Sequence, residues 1–396
     1  MKNHLADKKL SDTPEAGKRI ELTIEKIIPG GDGLARKDGM TYFVSGVLPG
    51  EVVLAQPRKI SKSWIKAVPV EILIPSPSRT EPFCRYYGVC GGCSWQHMSY
   101  ESQIKAKISF TREALMRQGG FNKNNLPEIY IKKSPPKAYR SRIRPVIIEK
   151  GKSAGFRSSR SAETVEIKNC PVADDQINNF FCNIPGELNE NDEPAVFSNG
   201  SRVYTEGLDN MAEVKIGSRR FIFPTGAFFQ SNLLILEDLV AFALQGLKGS
   251  CALDLYGGSG LFGAFLSENF NCVAGVDRDR RTEETWKINV GERGHFYPVS
   301  LEKWIKYKIK EKPDLIVVDP PRGGLDKKVR QVLSGLKPEY LVYVSCSPVT
   351  QARDMKFFME NGYSLESFGL FDLYPQTPHV ETAARLVYNG SIKNEK

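Results

Sequence analysis

CALDLYGGSGLFGAFLSENF, residues 251–270, contains a short apolar run, a glycine-rich turn and the beginning of a helical segment. The apolar run is typical of a buried strand, and Gly258 and Gly260 permit a tight turn that approaches a ligand closely. The next strand, CVAGVD, ends at Asp277, 23 residues after Asp254, where a carboxylate can hold ribose hydroxyls. The stretch therefore predicts an α/β sheet with a nucleotide-like cofactor at its carboxyl edge.

Apolar strands and helices continue to alternate on both sides of this stretch. SNLLILEDLVAFALQGL (231–247) has the character of a helix, and DLIVVDPP (314–321) and YLVYVSC (340–346) have that of strands. Such alternation is typical of a doubly wound parallel sheet. We therefore predict an α/β, Rossmann-like domain over residues 229–396.

A proline-rich edge follows one of these strands, at Asp319–Pro320–Pro321–Arg322. Two successive prolines have a fixed φ and no amide hydrogens, so they form a stiff edge suited to a planar base. A glycine-rich turn alone fits nicotinamide and S-adenosylmethionine equally, and an acidic–Pro–Pro edge favours a methyltransferase acting on a base. The structural alternative is a proline that simply ends the strand.

Cys346 and Glu381 are the candidate catalytic residues. A cysteine that ends an apolar strand is ordinarily buried packing, but Cys346 ends the strand expected beside Asp319. Carbon 5 of uracil is a poor nucleophile until a thiolate adds to carbon 6, and a base must later remove the carbon-5 proton. Glu381, in LYPQTPHVETAARLVY (373–388), is the candidate base, although alone it is equally consistent with a surface carboxylate.

The motifs YVSCSP, DPPRGG, PQTPHVE and LDLYGGSGLF together resemble those of the RNA 5-methyluridine methyltransferases, over residues 20–388. The resemblance implies an S-adenosylmethionine-dependent enzyme with Cys346 as nucleophile and Glu381 as proton acceptor. It also implies a cofactor site lined by Gln230, Tyr256, Asp277 and Asp319. Three residues depart from the family pattern, namely Gly257 in place of cysteine, Leu261 in place of a polar residue and Asp277 in place of glutamate.

Before the methyltransferase domain, the sequence predicts three further segments. Residues 1–15 are expected to form a disordered tail, and residues 16–76 a small barrel of about five strands separated by glycine turns. The barrel resembles an OB-like TRAM domain, which implies RNA binding through Lys59, Lys62, Trp64 and Lys66. Residues 77–228 form a predicted central α+β domain, in which a helix over 99–120 is expected to pack on the catalytic domain.

Three cysteines crowd into ten residues as Cys84-x5-Cys90-x2-Cys93, and Cys170 is the candidate fourth ligand. A four-thiolate zinc site and a 4Fe–4S cluster are both consistent with this pattern. The spacing is not that of radical enzymes. Resemblance to the ribosomal-RNA branch of the family implies a 4Fe–4S cluster in an iron–sulfur domain. We expect Cys182, Cys251 and Cys272 to be ordinary buried residues.

Charge is distributed unevenly along the chain. Residues 81–170 contain 17 Lys and Arg against 7 Asp and Glu, whereas residues 171–396 contain 25 against 30. A basic segment of this kind is typical of a phosphate-binding surface. We therefore expect an RNA partner, with 23S ribosomal RNA favoured over transfer RNA by the resemblance.

The remaining expectations concern location and alternatives. The chain has no apolar run of 18 residues and no secretory signal, so we expect a cytoplasmic monomer with neither a membrane span nor an obligate protein partner. The alternatives are a cytosine or adenine RNA methyltransferase that uses the same Pro–Pro edge, and a non-catalytic iron–sulfur RNA-binding protein.

Overall fold

The computed structural model describes residues 19–149, 152–159, 161–306 and 312–390. The tail predicted for residues 1–15 lies outside the described residues. The chain divides into two compact units. One comprises residues up to Pro82 with Ser94–Ala106, and the other comprises Phe83–Cys93 with the chain from Lys107 onward.

The first unit contains one mixed sheet where about five strands were expected. From residue 19 onward, this unit has six strands in the order β1-β5-β6-β4-β3-β2. Alternate side chains such as Leu22, Val44 and Ile65 are buried in a single core. The strands are β1 (Ile20–Thr23), β2 (Lys26–Ile27), β3 (Gly33–Lys37), β4 (Met40–Val44), β5 (Val52–Ile60) and β6 (Trp64–Ile74).

Helix α1 (Tyr100–Arg117) covers most of the predicted 99–120 span. It ends before Gly119–Gly120, where Gly120 has a φ of 78° and the Gly119 amide donates to the Leu115 carbonyl at 3.0 Å. Glycine adopts this left-handed conformation without steric cost, which explains the position of the helix end. In the second unit, Ala114 and Leu115 of this helix pack in the same core as residues of the large sheet.

Short antiparallel strands make up the following part of the second unit, the predicted central domain. β9, β10 and β11 pair in chain order, as do β12 with β13 and β14 with β15. β12 also pairs with the more distant β8, and β7 joins the large sheet in parallel with β21. The structure groups this segment with the large sheet, so the predicted boundaries at residues 76 and 228 differ from the observed division. The elements are β7 (Ile129–Lys132), β8 (Arg142–Ile143), β9 (Val146–Ile148), β10 (Ser153–Arg157), β11 (Thr164–Glu166), α2 (Asp175–Cys182), β12 (Val196–Ser198), β13 (Val203–Thr205), β14 (Met211–Ile216) and β15 (Arg219–Pro224).

The remaining elements build the large sheet and its covering helices. They are α3 (Leu236–Leu244), β16 (Gly249–Leu255), α4 (Leu261–Leu266), β17 (Phe270–Val276), α5 (Glu283–Val290), β18 (Gly294–Tyr297), α6 (Leu301–Trp304), β19 (Leu315–Val318), α7 (Lys327–Leu336), β20 (Tyr340–Ser345), α8 (Pro348–Glu360), β21 (Tyr363–Phe371) and β22 (Glu381–Tyr388). On β16, Leu253 packs in one core and Ala252 in another, so the sheet is covered on both faces.

The sheet order is β18-β17-β16-β19-β20-β22-β21-β7, which corrects the prediction of a wholly parallel sheet. β16 to β20 are joined by parallel pairings, but β22 runs antiparallel to both β20 and β21. Residues 372–380, which connect β21 to β22, are too few for the crossover that parallel neighbours require. β7 adds an eighth strand from outside the predicted 229–396 domain.

Candidate active site

One cavity of about 990 Å³ lies at the carboxyl edge of the large sheet. The parallel register aligns Leu255 with Val276 and Val318, so the residues that follow these three strands emerge at the same edge. All six residues predicted for catalysis or cofactor binding line this cavity: Gln230, Tyr256, Asp277, Asp319, Cys346 and Glu381. The structure therefore brings together groups that are separated by up to 151 residues in the chain.

Cys346 and Glu381 are placed opposite each other by strand pairing. Ser345, the last residue of β20, pairs with Thr382 of β22 in an antiparallel register. One further step along that register brings Cys346 level with Glu381, the first residue of β22. A side-chain hydrogen bond also joins the two strands next to this pair, because the Thr382 hydroxyl donates to the Ser345 carbonyl at 3.0 Å.

These two groups share a buried, acidic environment. Burial raises the pKa of the Cys346 thiol, Glu381 and Asp319 raise it further, and the Arg322 guanidinium opposes them. Burial, together with the nearby Asp319, also raises the pKa of Glu381 well above its usual range. Burial raises the pKa of Asp319 to about 7. Few of these acidic groups can therefore ionise together at neutral pH.

The other end of the cavity is formed by the glycine turn and by Asp277. The Asp277 carboxylate accepts hydrogen bonds from the amides of Gly258 at 3.0 Å and Asp279 at 2.8 Å. Gly258 has a φ of 52° and open space where a Cβ would lie, so the backbone is accessible from the cavity. Gln230 is buried, and its Oε1 has no hydrogen-bond partner among the described residues.

Gly260 was expected to let the backbone approach a ligand, but in the structure it makes room for a side chain of the protein. It has a φ of 86°, but a Cβ at Gly260 would meet the indole of Trp286 at 3.0 Å rather than a ligand. Gly257, the departure from the family pattern, is likewise packed, because a Cβ there would lie 2.7 Å from Trp286. The bulk of Trp286 thus explains why no side chain is accommodated at Gly257.

Four further cavity residues were not assigned roles from the sequence: Phe228, Arg322, Tyr374 and His379. Phe228 is 65% exposed, which is unusual for phenylalanine, and precedes Gln230 by two residues. Arg322 Nη2 lies 3.1 Å from His379 Nδ1, although 57 residues separate them. The motif around Glu381 contains His379 and Tyr374, but only the folded loop shows that they face the same space as Cys346.

Comparison with known proteins identifies the family. A family model described as tRNA (uracil-5-)-methyltransferase matches residues 304–388, which include Asp319, Cys346 and Glu381. An RNA methyltransferase of Aquifex aeolicus (strain VF5) is 30% identical over 93% of this chain and 98% of its own length. The chain belongs to the RNA uracil-5 methyltransferase family.

Two other similar proteins have more specific names. The 23S rRNA (uracil(1939)-C(5))-methyltransferase RlmD of Marinomonas sp. (strain MWYL1) is 29% identical over 88% of this chain and 90% of its own length. The crystal structure of Pyrococcus abyssi tRNA (uracil-54, C5)-methyltransferase, in complex with S-adenosyl-L-homocysteine, matches with a TM-score of 0.70 and 24% identity. It covers 93% of this chain and 100% of that chain. That likeness confirms the methyltransferase fold.

Two of the four candidate cluster ligands of the methyltransferase lie beside a second, smaller core. Cys90 and Cys170 pack against one apolar cluster that includes Ile143 and Phe181. Cys84 and Cys170 both raise the pKa of the Cys90 thiol, after burial, which places the three within electrostatic range. Within the described ranges, no group of three or more His, Cys, Asp and Glu side chains is arranged to hold a metal ion. Among the other cysteines, Cys182 is exposed, contrary to the expectation of burial.

The predicted RNA-binding side chains of the first unit lie on one part of its sheet. Lys59 pairs in register with Lys66, and the Lys59 ammonium lies 5.7 Å from the centre of the Trp64 ring. Trp64 is half-buried rather than a core residue, and Lys66 remains exposed beside Asp32. In the described part of the methyltransferase, no helix is long and apolar enough to span a membrane.

Proposed function

We propose that the enzyme uses S-adenosylmethionine to methylate carbon 5 of a uridine in RNA, with Cys346 as nucleophile and Glu381 as base. The observation that carries this proposal is the placement of a thiol and a buried carboxyl at register-matched ends of adjacent strands, inside one cavity. Reaction at carbon 5 needs a nucleophile on one ring atom and a proton acceptor near its neighbour.

The residues present fit S-adenosylmethionine. The cavity is large enough for a nucleoside-sized cofactor beside a base. Asp277 sits at the strand end where carboxylates hold ribose hydroxyls, and Gly258 leaves open space beside it. The buried Gln230 Oε1 lacks an internal partner and would accept a hydrogen bond from a bound ligand. When bound, S-adenosylmethionine would supply an electrophilic methyl group.

Cys346 carries the first half of the reaction in this proposal. Its thiolate forms a bond to carbon 6 of the uracil ring, and the electron pair of the carbon 5–carbon 6 double bond moves to the carbonyl at carbon 4. Carbon 5 of the resulting enolate is then nucleophilic and takes the methyl group as the methyl–sulfur bond of the donor breaks. Arg322 and the start of α8 face the thiolate side of the site.

Glu381 completes the reaction. Its carboxylate accepts the proton from carbon 5, the electrons of that bond re-form the carbon 5–carbon 6 double bond, and Cys346 leaves as thiolate. Because burial raises the pKa of Glu381, its carboxylate binds the proton more tightly than an exposed one would. The uridine must leave its stack to reach Cys346, and the exposed ring of Phe228 at the cavity offers a stacking surface.

Single substitutions test these roles. Cys346→Ala should abolish methyl transfer from labelled donor to RNA while RNA binding persists, and Cys272→Ala, outside the cavity, should retain activity. Glu381→Gln should reduce turnover by roughly 10²- to 10⁴-fold and accumulate a covalent protein–RNA adduct, since addition and methyl transfer precede proton removal. Activity in Cys346→Ala would contradict the role of Cys346 as nucleophile. Absence of an adduct in Glu381→Gln would contradict the role of Glu381 as base.

For the substrate we propose 23S ribosomal RNA. The support is the RlmD relative, which is similar to this chain over most of both lengths. Incubating the enzyme with ribosomal or transfer RNA, followed by nucleoside analysis, tests the choice. 5-Methyluridine in 23S RNA alone supports the proposal. 5-Methyluridine in transfer RNA instead would show that transfer RNA is the substrate. A methylated cytosine or adenine would overturn the reaction itself.

We also propose that Cys84, Cys90, Cys93 and Cys170 hold a 4Fe–4S cluster. Thiolates are the usual ligands of such clusters, and three of these thiols already lie within electrostatic range of one another. Protein isolated without oxygen should contain about four iron and four sulfide ions per chain. Cys170→Ser should lower both contents, whereas Cys182→Ser should leave them unchanged. Zinc with no sulfide would support the four-thiolate zinc alternative instead.

A further inference from the structure

The ionisable groups around Cys346 affect its thiolate in opposite directions: acidic groups disfavour it and a nearby cation favours it. Glu381 and Asp319 are acidic groups that face Cys346, and Tyr374 is a buried phenol in the same place. Arg322 is a cation that lines the same cavity as Cys346, and its positive charge opposes these acidic groups by lowering the pKa of the thiol. Without that cation, ionising the thiol beside two carboxyl groups would be strongly unfavourable.

Arg322 is fixed both at its side chain and at its backbone. Its Nη2 donates toward the His379 ring, at 3.1 Å from Nδ1 and 3.4 Å from Nε2. Its carbonyl accepts a hydrogen bond from the Thr350 hydroxyl of α8 at 3.1 Å.

The loop that follows Arg322 is also attached to α8. Leu325 donates its amide to the buried Asp354 carboxylate at 2.8 Å, and the Tyr343 hydroxyl of β20 donates to the same oxygen at 2.8 Å. Asp354 therefore connects the Arg322 loop to β20, the strand that Cys346 follows. These contacts fix the backbone that carries the exposed Arg322 side chain next to the end of β20.

His379 is suited to hold the guanidinium because it is neutral. Although the His379 residue is exposed where it lines the cavity, partial burial of its ring, together with the positive charges of Arg322, Lys107 and Arg140, lowers the pKa of His379 to about 4. A guanidinium has donors only, so a neutral imidazole nitrogen must accept its hydrogen bond. A protonated His379 would repel Arg322 instead.

We infer that Arg322 binds the Cys346 thiolate and that His379 is the positioning residue that directs the guanidinium toward it. The inference rests on the proposed role of Cys346 as nucleophile. Cys346 also lies two residues before Pro348, the first residue of the 13-residue helix α8, whose N-terminal partial charge acts in the same direction. The thiol proton leaves to solvent, and no redox partner is involved.

The experiment measures the alkylation rate of Cys346 by iodoacetamide against pH, in the full chain without RNA or methyl donor. Peptide mass spectrometry follows Cys346 and the exposed Cys182 in the same sample, so that Cys182 serves as an internal control. Arg322→Met should move the midpoint for Cys346 to higher pH by about one unit or more, which lowers its rate near pH 7.5 roughly tenfold. The Cys182 profile should not move.

Conservative variants distinguish charge from structure. Arg322→Lys keeps the charge but lacks the planar fork, so its midpoint should fall between those of wild type and Arg322→Met. His379→Gln retains an acceptor and should stay close to wild type, whereas His379→Phe should shift the midpoint upward. A variant that changes only the access of iodoacetamide to Cys346 would alter the plateau rate at high pH without moving the midpoint. If Arg322→Met fails to fold, the Arg322→Lys and His379→Phe midpoints decide the matter.

An unchanged Cys346 midpoint in folded Arg322 and His379 variants would overturn the inference. Methylation by Cys346→Ala, measured separately, would instead overturn the proposed nucleophile. The two failures are distinguishable, because the alkylation profile requires no turnover and the methylation assay requires no alkylation.

Discussion

At the end of β20, three groups that become negative on ionisation occupy one buried region: Cys346, Glu381 and Asp319. A folded state that raises the pKa of a carboxyl group binds its proton more tightly than the unfolded chain does. Such a group costs stability as pH rises above its unfolded pKa, and the cost levels off above its folded pKa. For Glu381 that range begins near pH 4.5 and extends well above it.

Glu381→Gln should therefore raise the melting temperature at pH 8 and have little effect at pH 4. Each unit by which the folded pKa is raised corresponds to about 1.4 kcal/mol, so we expect a gain of roughly 3 to 8 °C at the higher pH. Thermal unfolding of both proteins across this pH range is the measurement. Glu360→Gln, on the exposed side of α8, is the matched control and should show no such trend. An equal shift at both pH values would contradict the explanation.

Among the elements, α5 and the glycine turn are fitted to each other through Trp286. The indole is fully buried, and Gly257, Gly260, Gly263 and Gly275 all face it with no space for a Cβ. The glycines of this region thus serve two purposes. Gly258 opens the backbone to the cavity, whereas these four admit a large aromatic ring against the strand and helix.

Gly275→Ala on β17 should destabilise the second unit by about 1 to 3 kcal/mol, because the added methyl group collides with Trp286. Combining it with Trp286→Leu should recover part of that loss, so the two changes should be non-additive. Gly335→Ala, in the last turn of α7 with open space around it, is the control and should be neutral or stabilising by up to about 1 kcal/mol. Denaturant unfolding of the wild type, Gly275→Ala, Trp286→Leu, their double variant and Gly335→Ala measures these differences. Additive effects would mean that Trp286 is not the cause.

The strand ends of the sheet could be predicted from the sequence because apolar runs and their polar successors are local features. Asp277, Asp319 and Cys346 each follow such a run directly. The antiparallel insertion of β22 could not be predicted in this way, since it depends on pairing with β20 and β21 together. The Arg322–His379 contact and the packing of Trp286 on four glycines are likewise non-local, because they depend on loop positions that only the folded chain defines.

For the whole molecule, charge is the property that bears on RNA binding. The basic residues of segment 81–170 outnumber its acidic residues by more than two to one, while residues 171–396 have a net negative charge. A protein that binds RNA through phosphates releases counterions, so its affinity depends steeply on salt.

RNA affinity should fall roughly 100-fold between about 50 and 200 mM salt if about five phosphates are neutralised. Filter binding or fluorescence anisotropy with a ribosomal RNA fragment gives the slope. Lys59→Ala and Lys66→Ala together should lower that slope if the first unit contributes contacts. A flat salt response would remove the phosphate-based explanation for the basic segment.

The position of β22 also has a consequence for synthesis. This strand is translated after β20 and β21, yet it inserts between them, and it begins with Glu381. A nascent chain that has released Cys346 from the ribosome therefore still lacks both its base and the strand that aligns it. The pairing that sets Cys346 opposite Glu381 can therefore form only late in synthesis, after the other strands of the sheet have been made.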